Sequence, residues 1–450
     1  MLDLADIQGF VVRGYRMPKA RHFVLEVGDA RALKACLGEL ASPGGTPDGL
    51  AVTTATPWTE VERPDYALNL GFTFAGLRAL EIQEPSALAR SFRSFGAFRE
   101  GAVARAGRVG DVAESAPEHW WCGLGEPDRV HAVVSLFART GCVRDDLSEK
   151  LRAWLTREGA AVEVASFDGD ALGAGDEVHF GYKDGIAQPR IAGGPARPAD
   201  GQDEVPAHRF VLEDGPVASY YPPSPAPLGL NGSFAAFRIL AQDVAAFEAF
   251  LATQPDPERM AAKICGRWRN GTPLVLSPDR PGPELPPEKL NDFDYRDDRS
   301  GARCPAGAHI RRTNPRDVPV LGGNTEAHRI IRRGLPFGPR FEPGDDPTIP
   351  RGLVGYFIGV DLANQFEFLM NSWIEEGGFT PALYFRRESR DPIFGDRDPN
   401  GGEFVIPTEG GGFERIRGFS RFVSTRGGAY VFLPSLTALR FIADAQPRGG

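Results

Sequence analysis

The 450-residue sequence has no excess of positive charge and no long apolar run, and both shortages narrow the possible functions. Asp and Glu total 60 against 51 Lys and Arg, for a net charge of −9. Binding to nucleic acid requires a basic face, so this balance argues against it. No apolar run approaches the roughly 18 residues of a membrane span. We therefore expect neither a nucleic acid nor a membrane as a partner.

Cysteine is also scarce, and the opening residues lack a targeting pattern. The five cysteines are scattered and form no Cys-x-x-Cys pair, which predicts buried, reduced thiols rather than a zinc site or a disulfide framework. The start, MLDLADIQGFVVRGY, is acidic and lacks the basic-then-apolar order of a secretory signal. This start predicts a cytoplasmic location, with removal of a leader as the alternative.

Motifs of several large enzyme classes are missing. The sequence contains no Gly-x-Ser-x-Gly elbow, no Walker A or Gly-x-Gly-x-x-Gly loop and no His-Glu-x-x-His motif. Its seven histidines include no short two-histidine spacing typical of zinc. Serine-type nucleophilic catalysis, phosphate-loop binding and zinc hydrolysis are therefore disfavoured.

A strand followed by a helix occurs twice in each half of the chain. The four patterns cover residues 21–41, 131–159, 232–254 and 352–377, and further strands lie between and after them. Asp243 is a plausible N-cap of the third helix. This order predicts an α+β protein of two tandem ferredoxin-like (βαββαβ) domains with antiparallel sheets. A Pro/Gly/Asp-rich passage at 192–210 separates residues 1–205 from residues 206–450, the two predicted domains.

The stretch HFGYKDGIAQPRI, residues 179–191, holds an acid, Asp184, directly before Gly185. Asp-Gly is a common turn signal, so a surface hairpin is the simplest interpretation of Asp184 taken alone. A catalytic carboxylate is the alternative, and it would need partners elsewhere in the chain.

Such partners occur between residues 303 and 338. His309 follows small residues, which would let a flat, bulky ligand approach its ring. The arginines of this stretch include Arg311, Arg312, Arg316, Arg332 and Arg333. Arg332 and Arg333 stand beside apolar residues, where a cation is costly unless it meets an anion. One histidine, several arginines and no second metal ligand are typical of a haem pocket.

Three stretches resemble the dye-decolorizing peroxidase family. FGYKDGIAQP matches its GxxDG signature, CPAGAHIRRTNPR its proximal-histidine segment and RIIRRGLPFG its distal-arginine segment, in the family's order. Weaker likenesses, from IQGFVVRGY to GAYVFLPSL, extend over nearly the whole chain. The resemblance implies haem b in a cavity mainly of the second domain. It also implies a peroxidase that uses hydrogen peroxide to oxidise dyes and other aromatic or phenolic donors.

The resemblance also implies roles for individual residues. His309 would be the axial iron ligand, Asp184 the distal proton shuttle and Arg332 the distal arginine that stabilises O–O heterolysis, with Arg333 as an alternative to Arg332. Gly185 and Arg316 would contact the haem, Arg316 through a propionate. A carboxylate of ordinary pKa near ~3.9 is a competent base in mildly acid solution. We therefore predict an acidic pH optimum, which a flat profile from about pH 4 to 8 would contradict.

Several choices stay open at this point. The carboxylate that accepts the second N–H of His309 is Glu367, Asp391 or Asp396. Bulky dyes cannot enter a closed pocket, so surface aromatic residues would relay electrons; the sequence does not rank Trp120, Trp121, Trp154, Trp268, Trp373, Tyr356 and Tyr384. His179 and His328 are predicted to be structural. The Phe-rich stretches RSFRSFGAF and NQFEFLMNSW are predicted to belong to the core.

Two other functions remain as alternatives. A haem-binding protein for storage, delivery or iron release would need His309 but no distal proton shuttle. A haem-free enzyme or small-molecule binder of the same fold would need none of the three site residues. The sequence is compatible with a monomer or a homodimer.

Overall fold

The structure is a computed structural model. It describes residues 2–59, 61–173, 176–195, 204–213, 228–283, 285–320, 323–383, 389–395, 402–408, 410 and 412–445. Two residues named above, Tyr384 and Asp396, lie outside these ranges.

Regular elements cover much of the described chain. The strands are β1 (Lys19–Val27), β2 (Tyr66–Phe72), β3 (Ala132–Ala138), β4 (Ala161–Asp170), β5 (Arg190–Ile191), β6 (Glu204–Val205), β7 (Ser233–Gln242), β8 (Ile331–Phe337), β9 (Gly352–Gly359), β10 (Gly402–Pro407), β11 (Phe413–Phe419) and β12 (Val423–Leu433). The α-helices are α1 (Gly9–Val12), α2 (Ala30–Leu40), α3 (Phe74–Ala79), α4 (Pro85–Ser91), α5 (Gly96–Ala104), α6 (Gly141–Thr156), α7 (Val244–Ala252), α8 (Pro257–Cys265), α9 (His309–Thr313) and α10 (Leu436–Asp444).

Eight strands form one sheet in the order β4-β1-β3-β2-β12-β7-β9-β8, and every pair is antiparallel. The order β4-β1-β3-β2, with α2 after β1 and α6 after β3, is that of a ferredoxin-like βαββαβ unit. The order β12-β7-β9-β8 repeats it in the second half of the chain. The predicted fold class is therefore confirmed. The two units do not form two separate sheets, because the residue pair Phe72–Phe432 joins β2 of the first unit to β12 of the second.

The two units also pack face to face. His22 on β1 lies 5.5 Å, centroid to centroid, from Phe237 on β7. At the outer strands, a Cβ added to Gly169 of β4 would lie only 2.8 Å from Cβ of Leu335 on β8. Strands covered in this way are buried on two faces, since helices cover the opposite side. This explains why β1 is buried at four consecutive positions, 22–25, rather than at every second one.

The helices begin at capping residues that the sequence supplies. Asp243 Oδ1 accepts the N–H of Ala246 at 2.8 Å, which confirms the predicted N-cap of α7. Thr140 caps α6 in the same way. No helix within the described ranges combines the length and apolar character needed to cross a membrane.

The fourth predicted helix is correct in position but different in type. Residues 363–367 and 369–374 form π-helical turns rather than an α-helix. Wide turns of this kind are rare in proteins overall, and those that do occur are often found at functional sites. The segment presents Phe366, Leu369, Met370 and Ile374 to a cavity beside β9.

Candidate active site

Asp184 follows a tight loop that closes between Val178 and Tyr182. The N–H of Val178 donates to the carbonyl of Tyr182 at 3.0 Å, and Glu177 bridges to Lys183. The next turn places Gly185 at φ 73°, a conformation that favours glycine. Asp184 is therefore on a turn, as the simplest interpretation predicts, but its side chain lines a cavity rather than the outer surface.

Asp184 forms an ion pair with Arg332. Arg332 Nη1 lies 2.9 Å from Asp184 Oδ1, and both side chains line the same cavity. Burial raises the pKa of Asp184, but the positive charge of Arg332 and the main-chain N–H of Gly185 lower it more, so the net pKa is below the usual range. The carboxylate is thus held ionised.

The two neighbouring arginines point in different directions. Both lie on the strand β8. Successive side chains of a strand point to opposite faces. Arg332 lines the cavity, whereas Arg333 Nε donates to the carbonyl of Phe10 at 2.7 Å. The geometry therefore favours Arg332 over Arg333.

Gln188 joins the two elements that carry this ion pair, and the sequence interpretation did not assign it a role. Gln188 Oε1 accepts the main-chain N–H of Arg332 at 3.0 Å. The amide thus fastens the loop of Asp184 to β8 at the position of Arg332. A contact to a main-chain group leaves no mark in the sequence, and only the adjacency of Gln188 to the GxxDG segment could have drawn attention to it.

His309 lies at the first residue of α9 and lines the same cavity. Its Nδ1 is 2.9 Å from Oδ2 of Asp391, which is wholly buried. Burial raises the pKa of Asp391, but His309 and Arg312 together lower it by more than burial raises it, so the net pKa is below the usual range. Of the three candidate carboxylates, Asp391 is the partner; Glu367 accepts from Arg105 instead. The Nε2 atom of His309 is left as the nitrogen available to a ligand.

The arginines after His309 divide into two kinds. Arg311 donates to Asp298 at 2.9 Å, and Arg312 donates to the carbonyls of Gly307, Trp373 and Ser389. Both are buried and hold the histidine segment in place, so their guanidinium groups contact the protein rather than the cavity. Arg316 does line the cavity, and its guanidinium stacks 3.8 Å from the ring centroid of Phe293.

The cavity is apolar, with a surplus of positive charge. Its volume is about 250 Å³. Among the described residues, the cations that line it are Lys183, Arg267, Arg316, Arg329 and Arg332, and the one lining carboxylate is that of Asp184. Haem carries two propionates, an apolar macrocycle and an iron that takes an imidazole. The donors, walls and charge of this cavity therefore fit haem. Gly185 is not among the lining residues; its N–H acts on the Asp184 carboxylate.

Both Phe-rich stretches lie in the core, and the second one also lines the cavity. Phe92, Phe95 and Phe98 belong to the main core, as predicted. The prediction is also confirmed for NQFEFLMNSW, since Phe366 and Met370 belong to the main core and Leu369 to a smaller core cluster. The same three residues line the cavity, where Phe366 stacks on Phe357 at 5.3 Å. A wall of a ligand cavity has the same apolar composition as a core, so the sequence does not distinguish them.

The candidate relay residues differ in exposure. Trp120, Trp268, Trp373 and Tyr356 are buried. Trp121 and Trp154 are partly exposed, as is Trp58, which the candidate set omits. Trp58 stacks on Tyr15 at 5.6 Å, with the guanidinium of Arg13 3.3 Å from its centroid. Burial excludes the first four from direct contact with a bulky donor.

Two other histidines engage only the surrounding protein. His179 Nε2 lies 2.8 Å from the carbonyl oxygen of Phe337, and His328 stacks on Phe368 at 3.7 Å. Neither lines the cavity, in line with the prediction that they are structural. Among the residues that the structure describes, no group of three or more His, Cys, Asp or Glu side chains could hold a metal ion.

One imidazole backed by a carboxylate, with an ionised acid and a guanidinium lining the same apolar cavity, is the arrangement of a haem peroxidase pocket. Comparison with known proteins agrees. The chain is 30% identical to dye-decolorizing peroxidase msp1 of Mycetinis scorodonius over 98% of this chain and 88% of the relative. It is 31% identical to peroxidase 2 of the same organism over 98% and 87%.

Solved structures give the same result. A dye-decolorizing peroxidase in complex with 2,6-dimethoxyphenol superimposes with a TM-score of 0.83 at 27% identity, covering 98% of this chain and all of that one. No protein-family model matches the chain. The chain belongs to the dye-decolorizing peroxidase family, and it is a haem peroxidase. The family resemblance of its motifs is thereby confirmed.

Proposed function

We propose that this peroxidase binds haem b through His309 and uses Asp184 and Arg332 to cleave hydrogen peroxide. The observation that carries the proposal is the Asp184–Arg332 ion pair, which lines the same cavity as the Nδ1-anchored His309. A protein that merely carried haem would need the histidine but no ionised acid beside a guanidinium.

The proposed haem contacts follow from the lining residues. His309 Nε2 would bind the iron, and Asp391 at Nδ1 would hold the ring in place and increase its basicity. Arg316, with the other lining cations, would pair with the propionates. Gly185 would act through the Asp184 carboxylate, to which its N–H contributes. When bound, haem supplies the redox-active iron at which the peroxide O–O bond is broken.

Asp184 would move the proton. Hydrogen peroxide must lose a proton from one oxygen and gain it on the other before the O–O bond splits heterolytically. The Asp184 carboxylate, ionised beside Arg332, would accept the proton and then return it to the departing oxygen. A lowered pKa leaves this base available even in acid solution.

Arg332 would stabilise the departing oxygen. Its guanidinium remains positive at all relevant pH and is oriented by the ion pair to Asp184 and by the Gln188 contact to its backbone. A fixed cation in a pocket of low polarity stabilises negative charge that develops during bond cleavage.

The proposed donors are dyes and other aromatic or phenolic molecules. A structural neighbour that covers 98% of this chain is a complex with 2,6-dimethoxyphenol, which supports phenols as a donor class here. The partly exposed Trp58, Trp121 and Trp154 are candidates for contact with donors too large for the cavity. The protein is predicted to be a monomer or a homodimer.

We also propose a domain boundary and a cellular location. A boundary between residues 205 and 206 is supported by the strand order, because the first ferredoxin-like unit ends with β4 and the second begins with β7. A cytoplasmic location is supported by the cysteines, all of which are free thiols, two of them exposed.

The decisive experiment compares wild type with Asp184→Asn. Both proteins are purified after haem is supplied during expression, and each is mixed rapidly with hydrogen peroxide. We expect an equal Soret band in both and a rate constant for the peroxide reaction about 10²- to 10⁴-fold lower in the variant. Equal rates would favour a haem storage or delivery protein. A wild-type protein with no Soret band would favour a haem-free function.

A further inference from the structure

Three polar side chains form a hydrogen-bonded chain in the middle of the face-to-face sandwich. Tyr356 OH lies 2.5 Å from Ser135 Oγ, and Ser135 Oγ lies 2.7 Å from His22 Nδ1. Tyr356 belongs to the second unit, whereas Ser135 and His22 are on β3 and β1 of the first. All three are at most 2% exposed. The proposed peroxide chemistry uses none of them.

The surroundings of this triad are aromatic. The Tyr356 ring lies 5.2 Å from Phe10, and the His22 ring lies 5.8 Å from Phe137. Phe237 packs against both rings, at 5.5 Å from His22 and 5.1 Å from Tyr356. His22 Nε2 has no hydrogen-bond partner among the described residues. A polar chain sealed in this way keeps its protons within the protein.

Tyr356 lies directly behind the cavity wall. The next residue, Phe357, lines the cavity, and consecutive Cα atoms are about 3.8 Å apart. Across the ladder, Arg332 pairs with Phe357 and Arg333 with Tyr356. Adjacent side chains of a strand point to opposite faces, so Tyr356 occupies the back of the strand pair whose front holds Arg332 and Phe357.

We propose that Tyr356, Ser135 and His22 form an internal redox site that holds one oxidising equivalent derived from peroxide. Tyr356 gives one electron to the peroxide-oxidised centre. Its phenolic proton passes to Ser135 Oγ while the Ser135 hydroxyl proton passes to His22 Nδ1. A neutral phenoxyl radical and an imidazolium result, and the triad gains one positive charge. When a donor later returns the electron, both protons move back.

The two titratable groups of the triad are uncharged before this step. Burial raises the pKa of the Tyr356 phenol and lowers the pKa of His22 to about 4, so both groups are neutral and Nδ1 can accept a proton. The charge of Asp168 on β4 acts on His22 in the opposite direction to burial, which helps to stabilise an imidazolium. Oxidation makes a phenol far more acidic, so a neighbouring base lowers the free energy needed to remove its electron.

Most other tyrosines in the described chain lack such a base. The hydroxyl of Tyr15 donates to the amide oxygen of Asn69 at 2.7 Å, and that of Tyr182 donates to the carbonyl of Ala261 at 2.8 Å. An amide or carbonyl oxygen does not take a proton at ordinary pH. Tyr430 does donate to a carboxylate, Glu367, at 3.0 Å. That carboxylate, however, already accepts two hydrogen bonds from the guanidinium of Arg105.

A sealed radical site would serve a peroxidase whose donors arrive slowly. Peroxide delivers two oxidising equivalents at once, whereas aromatic donors supply electrons singly. Tyr356 would hold one equivalent where neither solvent nor a neighbouring molecule can quench it. This inference rests on the proposed haem chemistry.

The test is rapid freeze-quench electron paramagnetic resonance of the haem-loaded protein, mixed with peroxide without donor. We expect a phenoxyl signal that narrows when ring-deuterated tyrosine is incorporated and that is lost in Tyr356→Phe. In Ser135→Ala and His22→Phe the signal should form more slowly and lose its dependence on deuterated solvent. Tyr15→Phe and Tyr430→Phe are matched controls, each removing one buried hydroxyl, and both should keep the signal.

Several results would overturn the inference. The first is a tyrosyl signal that persists in Tyr356→Phe, and the second is a tyrosyl signal that disappears in Tyr430→Phe. The third is the absence of a tyrosyl signal in the wild-type protein although its Soret band responds to peroxide. If Tyr356→Phe does not fold, an unchanged rate of signal formation in Ser135→Ala overturns the inference by itself. A Soret band that does not respond to peroxide would overturn both this inference and the proposed function, and the absorbance record identifies that case.

Discussion

Arg332 Nη1 lies 2.9 Å from Asp184 Oδ1, and this contact joins the GxxDG loop to strand β8. The two side chains are 37% and 39% accessible, because they open to the cavity. Ion pairs this accessible contribute roughly 0–1 kcal/mol to stability. The pair is therefore better explained by chemistry in the cavity than by stabilisation of the fold.

Replacing Arg332 should accordingly affect rate far more than stability. We expect Arg332→Leu to lower the rate constant of the peroxide reaction by about 10²- to 10³-fold, because a fixed positive charge near the departing oxygen is lost. Stopped-flow absorbance measures the rate, and thermal unfolding should show little change. Arg333→Gln is the matched control, since Arg333 contacts Phe10 on the other face. A larger loss in Arg333→Gln would reverse the assignment.

The pH dependence should differ between the two stages of turnover. The net pKa of Asp184 lies below the usual range of a carboxyl group, so its carboxylate stays ionised and active into acid solution. We expect the peroxide step to be nearly independent of pH above about pH 4 and to slow below it. Overall turnover should rise toward acid, because reducing peroxide to water consumes protons. A flat turnover profile from about pH 4 to 8 would contradict this account.

Asp391 should set the electronic character of His309. The Asp391→Asn variant keeps an acceptor for the N–H groups of Ile393 and Phe394, but removes the negative charge at His309 Nδ1. A less basic imidazole stabilises ferric iron less, so we expect a higher reduction potential and a loss of about 10- to 100-fold in haem affinity or activity. Spectroelectrochemical titration measures the potential. An unchanged potential would mean that the contact serves only the packing of the loop.

Gln188 should act as a positioning residue. Gln188→Leu removes the acceptor for the Arg332 N–H while keeping a similar volume. Displacements of about 1 Å in a site can cost up to roughly 10²-fold in rate, so we expect a 10- to 100-fold slower peroxide step with an unchanged Soret band. Gln188→Glu retains an acceptor and should recover most of the rate. If both variants react like wild type, Gln188 does not align the pair.

His22 should make the stability of the fold depend on pH. Its pKa is about 4 in the folded protein and 6.5 in the reference state, so the unfolded chain binds a proton first as pH falls. Stability is fully present above about pH 6.5 and decreases through pH 4, by about 3 kcal/mol in total. His22→Phe should remove this component, and substitution of the exposed His119 should not. Denaturant unfolding at several pH values measures it.

The sequence predicted those parts of the site that lie in short segments. Asp184, His309 and Arg332 each occur in a recognisable motif, and the structure brings all three to one cavity. The strand–helix order likewise predicted both ferredoxin-like units. What the motifs could not supply was the joining of the two units through the Phe72–Phe432 pair, which depends on how two finished units meet.

The supporting contacts were less predictable, for a physical reason. Asp391 could not be separated from Glu367, because the choice depends on where the loop at 389–395 runs beside α9. Arg311 and Arg312 look as available to an anion as Arg316 does, yet they are buried on main-chain carbonyls and on Asp298. Such distinctions depend on tertiary packing rather than on local pattern.

The position of β12 affects how the protein is made. This last strand lies at the centre of the sheet, between β2 and β7. The strands of the first unit all precede residue 171, so that unit can form while the ribosome is still working, as domains generally do. The second unit cannot be completed until its strand β12 has been synthesised. Val423, which lines the cavity, belongs to that strand. Completion of the pocket, and with it cofactor uptake, therefore has to follow the synthesis of β12, and a stop codon near residue 420 would leave an N-terminal unit without a pocket.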